Sequence, residues 1–150
     1  MTTNMEMETK YFGRLSYTEE EEIYFENGLF GFEDAKRFIL IRFDNESGNI
    51  LCLQNIENSN LAFTLMNPFA FLAEYAPVPS AEDIKKIGAT DINELLFYNI
   101  CVIQPNLQES TVNLRSPIVV NPETQKGIQV ILEDTQYSFK YEFENFLKED

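Results

Sequence analysis

The chain has 150 residues, 44% of them hydrophobic and 24% charged, a balance that excludes a mostly disordered chain. It predicts one domain, residues 1–150, large enough to bury a core without a staple. Eleven Lys and Arg against 25 Asp and Glu give a net charge of −14, which disfavours direct nucleic-acid or anionic-membrane binding and favours a basic protein surface as partner.

The amino terminus, MTTNMEMETK, lacks the cationic start and apolar stretch of a secretory signal, and no run approaches the ~18 apolar residues of a membrane span. The expectation is a cytoplasmic protein, with the Asn45-Glu46-Ser47 sequon carrying no meaning. The ends, up to about Lys10 and beyond about Phe139, are expected to be least constrained. Between them, short blocks of β-branched and aromatic residues predict strands over 11–17, 22–25, 37–43, 49–56, 61–66, 95–104, 110–115, 117–120 and 127–133. In RFILIRF both alternating sets are apolar, Phe38 and Leu40 against Ile39, Ile41 and Phe43, so that strand should be covered on both faces. Asp44-Asn45-Glu46-Ser47-Gly48 and Glu57-Asn58-Ser59-Asn60 read as hairpin turns, which makes the strands they join antiparallel.

After Pro79, Ser80 can cap a helix start, Asp83 stands in capping-box position and Gly88 supplies a stop, predicting a short helix over 81–87. Many short antiparallel strands must hide their edges, and closure does so. The fold class predicted is all-β: an antiparallel, barrel-like single domain with one short helix.

Chemistry is sparse along this chain. With no histidine, the commonest general base and metal ligand is missing, together with every Ser-His or Cys-His nucleophile pair, so most enzyme classes are disfavoured and no cofactor or transition-metal site is expected. Cys52 and Cys101 lie inside the apolar runs NILCLQNI and YNICVIQP, where a thiol serves as a small hydrophobe. The acidic groups Glu19, Glu20, Glu21 and Glu22, Glu33-Asp34, Glu82-Asp83 and Glu133-Asp134 are expected to be solvated faces or a helix first turn rather than metal or acid-base sites. The 44–48 turn lacks the residue pattern of a calcium loop. GLFGFE lacks the Lys-Ser/Thr of a phosphate loop, so its glycines are expected to supply positive φ or close backbone approach.

The aromatic content, 13% with seven Tyr, thirteen Phe and no Trp, is high. In NPFAFLAEY, Pro68 and Pro77 interrupt regular pairing, so Phe69, Phe71 and Tyr75 are expected to form an apolar surface following Asn67 and Pro68.

FENGLFGFEDAKRFILI, LCLQ, TLMNPFAFLAEY and STVNLRSPIVVNPETQKGIQVIL resemble, in order and spacing, the flagellar assembly factor FliW family, from about Tyr11 to about Tyr137. Glu26 and Phe30 stand where that family more usually has prolines, and Ser116 where it more usually has alanine. The resemblance implies a cytoplasmic, non-enzymatic β-barrel that binds flagellin before export and antagonises CsrA, an RNA-binding translational repressor, so that flagellin level is coupled to flagellin translation. With that role, Asn67, Pro68, Phe69, Phe71 and Tyr75 become the candidate flagellin contact. Glu19, Glu20, Glu21, Glu22, Glu133 and Asp134 become carboxylates that could repel RNA from CsrA. The alternatives from other classes are a small-molecule-binding β-barrel, whose aromatics would line a lumen, and a carboxylate-dependent hydrolase.

Overall fold

The computed structural model describes residues 4–43, 48–134 and 136–147. Among these, eleven strands follow in chain order: β1 (Asn4–Glu8), β2 (Arg14–Thr18), β3 (Ile23–Tyr24), β4 (Arg37–Arg42), β5 (Ile50–Asn55), β6 (Ala62–Met66), β7 (Leu96–Val102), β8 (Thr111–Val112), β9 (Ile118–Asn121), β10 (Lys126–Gln129) and β11 (Tyr141–Glu142). Three short α-helices accompany them, where one was expected: α1 (Pro68–Phe71) and α2 (Ala81–Lys86) between β6 and β7, and α3 (Glu144–Leu147) after β11.

Strands β3 to β7 pair in chain order, β7 also pairs with β9, β9 with β10, and β10 returns to β3, so seven strands close into a barrel. The expected antiparallel barrel is what the chain forms, apart from one parallel contact, Lys126 beside Tyr24, where the ring shuts. Closure leaves no free edge on these seven strands. Strand β8 hangs from the end of β7 and carries β11.

Register explains the doubly apolar strand β4. Leu40 faces Leu53 and Ile41 faces Cys52 on the neighbouring β5, so the two alternating sets point to opposite sides of the wall. Inward go Phe38 and Leu40, packed with Phe25, Leu53, Leu65 and Ile118. Outward go Ile39 and Ile41, covered by Met7 and Tyr17 of the separate β1–β2 hairpin. Phe25, Phe38, Leu53, Leu65 and Ile118 are fully buried in one cluster, each contributing roughly 1.5–3 kcal/mol, so the barrel interior is a filled core rather than a lumen. That filling counts against the small-molecule alternative.

A second core lies outside the barrel, where Phe97 and Val119 on the outer face of β7 and β9 meet Tyr75, Ile84 and Ile87. Helix α2 forms as its sequence predicts: Ser80 Oγ accepts from Asp83 N at 3.0 Å, and Gly88 ends it at φ +77°. The carbonyl of Ile87 at its C-terminus accepts from Asn121 Nδ2 and Thr124 Oγ1, which locks the helix to the β9–β10 turn.

Several expectations need correction. Residues 4–10 are not loose, because β1 pairs with β2 over five residues and Lys10 N donates to the buried Gln54 Oε1 at 3.0 Å. Past Phe139, residues 141 and 142 pair with β8 as β11, a much shorter tie. The strand expected over 110–115 shrinks to Thr111–Val112, since Leu114 N and Arg115 N turn away to share the Ser138 carbonyl. The 57–60 turn is made by Asn55, whose Oδ1 accepts from Glu57 N and Asn58 N. Most of the 44–48 turn lies outside the described residues, but the strands it joins are antiparallel. In GLFGFE, Gly28 sits at φ +64°, and a Cβ there would lie 2.5 Å from the backbone oxygens of Phe32 and Glu33. Both reasons anticipated for that glycine therefore apply at once.

Candidate partner-binding site

One helical turn sets the geometry of the aromatic segment. Asn67 Oδ1 accepts from Phe69 N at 3.1 Å and Pro68 fills the first helical position, so α1 starts where NPFAF dictates. Residues two apart on a single turn point away from each other, and Phe69 and Phe71 therefore enter different grooves. Phe69, 44% exposed, leans on Phe97 with ring centroids 6.2 Å apart, in a 350 Å³ groove walled by Val78, Ile92 and Leu95. Phe71, 39% exposed, meets Phe146 at 5.9 Å and lies in a groove of 730 Å³ whose other walls include Tyr11, Phe43, Ile50, Met66 and Phe143.

Tyr75 does not join either ring at the surface. It is 5% exposed, its hydroxyl donates to the Leu114 carbonyl at 2.6 Å, and it accepts from Asn99 Nδ2 at 3.3 Å. Burial pushes its phenol well above the usual tyrosine range. The single apolar surface expected from Phe69, Phe71 and Tyr75 is thus two grooves with Tyr75 as a buried strut beneath them.

The larger groove draws on residues that the sequence did not single out. Tyr11 comes from the β1–β2 loop, Phe43 from the end of β4, Ile103 from the end of β7 and Leu107 from a 3-10 turn. All four are exposed, although each is apolar. Leu107 inside PNLQES, and Phe143 and Phe146 at i,i+3 spacing, were the available signals: apolar residues in polar surroundings. An amphipathic helix is the element that such a groove accepts most readily.

The acidic residues divide into two places. Glu19, Glu20 and Glu21 form an exposed 3-10 turn, in which Glu21 accepts from Thr18 N at 2.9 Å. Glu22 instead pairs with Arg37 through two hydrogen bonds, 2.5 and 3.1 Å, and raises the guanidinium above its ordinary value. Gln125, at the β9–β10 turn, holds this segment by donating to the carbonyls of Glu20 and Glu22. Glu133 and Asp134 lie past the opposite end of that ladder, both exposed. Asp134 is held below the usual carboxylate range by hydrogen bonds from the backbone and side chain of Gln136. The structure does not bring the two acidic groups together.

Cys52 and Cys101 are buried, unlinked thiols, pushed up by burial to about 11 and about 12. Both face the same side of the sheet, each opposite Thr64 on the strand between them, so two strand spacings, roughly 9–10 Å, separate their backbones. That is too far to bridge. Among the described residues no three His, Cys, Asp or Glu side chains are placed to hold a metal, and no helix is long and apolar enough to cross a membrane.

Fold and surface together define a small acidic β-barrel with a filled interior and a broad apolar groove on its outside. The FliW protein family matches the chain over residues 6–143. A flagellar assembly factor FliW of Caldanaerobacter subterraneus subsp. tengcongensis is 37% identical over 137 residues, which is 91% of each chain. That of Thermotoga neapolitana is 38% identical over 130 residues, 86% of this chain and 87% of the other. A crystal structure of the flagellar assembly factor FliW superposes with a TM-score of 0.85 at 28% identity, covering 92% of this chain and 96% of that one. The chain belongs to the FliW family of flagellar assembly factors.

Proposed function

We propose that this protein is a cytoplasmic, non-enzymatic switch that binds flagellin and, when free of it, binds and antagonises CsrA, so that flagellin translation follows flagellin export. The observation that carries the reading is the apolar groove at Phe71 on a chain of this family: it is 730 Å³ and rimmed by exposed rings on a body of net charge −14. Flagellin ends that fold as amphipathic helices meet the requirement of such a groove. Asn67 and Pro68 serve by starting the turn that aims Phe69 and Phe71 outward, and Tyr75 by supporting it from beneath.

For CsrA the argument is charge. A repressor that holds RNA presents a basic surface, and carboxylates bound beside it repel phosphate without covering the RNA path. Screening beyond ~8 Å at physiological ionic strength requires those carboxylates to be close to the RNA. Because Glu19, Glu20 and Glu21 lie at one end of the β9–β10 ladder and Glu133 and Asp134 at the other, one of the two groups carries the repulsion. Glu22 contributes least, its charge being matched by Arg37.

The test measures RNA affinity of CsrA saturated with this protein, across a salt series and with each group neutralised to Gln or Asn. Restored RNA binding in an intact protein pair, for one group only, supports the electrostatic account. RNA excluded at every salt and by every neutralised variant replaces it with steric occlusion.

A further inference from the structure

Part of the wall of the groove at Phe71 comes from a short segment that is weakly tied to the rest of the chain. Residues 141–147 run beside it as the short strand β11 and the single turn α3, and the Phe146 ring contacts three others: Tyr141 at 5.2 Å, Phe143 at 5.6 Å and Phe71 at 5.9 Å. Phe143 and Phe146, three apart, present one apolar edge to the groove, while Glu142, Glu144 and Asn145 occupy the intervening and outer positions. The segment shows by example what the groove accepts.

Its anchorage is slight. Strand β11 pairs over two residues, Tyr141 with Val112 and Glu142 with Thr111, on a β8 that is itself only two residues long. Beyond these, Phe143 N donates to the Ser110 carbonyl at 2.8 Å, Tyr141 and Glu144 keep contacts of their own, and both phenylalanines pack half-buried against the outer core. The other groove walls, by contrast, stand on β4, β5 and β6, paired over five residues each. Segments held by short pairing and only half-buried open locally at lower free energy than the core. The segment also leaves most of its site unused, since Tyr11, Phe43, Ile103 and Leu107 stay exposed along the rest of the groove. And it is an acidic strap on an acidic protein, so a helix with a neutral or basic polar face would be favoured over it by the field of the whole molecule.

We propose that residues 141–147 are a displaceable strap: a partner's amphipathic helix, with large apolar side chains at i and i+3 or i+4, binds along the groove by expelling the strap and taking the positions of Phe143 and Phe146. This rests on the protein-binding reading given above and adds its regulation. A strap that closes the site lowers apparent affinity by the fraction of time the site is open, so weakening the strap tightens binding without creating any new contact.

The experiment uses the full chain, its Phe146→Ser variant, and as probe a fluorescein-labelled peptide with the sequence of residues 138–150, followed by fluorescence polarisation. The Phe146→Ser chain is expected to bind the peptide at least about tenfold more tightly than the unaltered chain, and the Phe71→Ser, Phe146→Ser double variant to lose that binding. In the unaltered protein, hydrogen exchange should open the amides of residues 141–147 faster than those of β4 to β6. Equal peptide affinity in both chains, or exchange in 141–147 as slow as in the barrel, overturns the proposal. So does unfolding of Phe146→Ser, which would make the segment a structural part of the core. Unlabelled flagellin is added last. Competition with the peptide supports displacement, whereas peptide binding that flagellin leaves untouched keeps the strap exchangeable and counts against flagellin at this groove, so the two readings fail separately.

Discussion

Replacing Tyr75 by Phe removes one oxygen and leaves the ring in place between Tyr137, 4.8 Å away edge to face, and Phe69 at 6.0 Å. The loss falls on two groups. The buried Leu114 carbonyl loses the hydroxyl that donates to it, and Asn99 Nδ2 loses its 3.3 Å acceptor while keeping its 2.7 Å bond to the Asn113 carbonyl. An acceptor left unpaired inside costs about 1–3 kcal/mol, and because no cavity opens beside the ring the expected value is about 1–2 kcal/mol. In a chain of this length that lowers the melting temperature by about 2–8 °C. Urea unfolding measures it, with an unchanged denaturant slope showing that the loss is local. Flagellin binding should be unaltered, since Tyr75 supports the grooves without facing a partner. A stability change below about 0.5 kcal/mol, or weakened flagellin binding at full stability, would return Tyr75 to the surface and refute the reasoning.

The two glycines of GLFGFE separate strain from crowding. Gly31→Ala, at φ +85° with open space around it, should cost about 1–2 kcal/mol; Gly28→Ala adds a clash with two backbone oxygens and should cost clearly more, both read from chemical denaturation. Burial raises the thiols of Cys52 and Cys101 from the ordinary 9.0 to about 11 and about 12, so above pH 9 the unfolded chain loses protons that the folded one keeps. Stability should therefore be untouched by these groups below pH 9 and decline between about pH 9 and 12; double replacement by Ala should flatten that decline. One cooperative transition by calorimetry and fluorescence alike is expected of a single domain, and two transitions would divide it.

How far the sequence was legible depended on whether a signal was local. Strands β4 and β5 announce themselves as short apolar runs beside turn residues, and α2 through Ser80 and Gly88, because those forces act within a few residues. The α1 turn had the same kind of signal, Asn67 then Pro68, but Pro68 reads as a break in strand pairing that exposes Phe69 and Phe71 instead of as the first residue of a helical turn. Strand β1, with the sequence NMEME, carries no β-branched residue and is recruited by the outer face of β4, a contact invisible before folding. Tyr75 was misread for a related reason: its partner Leu114 is 39 residues away, and only the tertiary fold supplies the carbonyl that lets a phenol be buried. The larger groove gathers residues from both ends of the chain, so no window of sequence contains it.

The central claim is that the groove at Phe71 holds flagellin, and calorimetric titration of purified flagellin into the unaltered protein and into Phe71→Ser tests it most directly. The account predicts saturable binding to the first and at least about tenfold weaker binding to the second, with the Phe71→Ser melting temperature nearly unchanged because that ring is already 39% exposed. No binding to the unaltered protein, or equal binding to both, would contradict it.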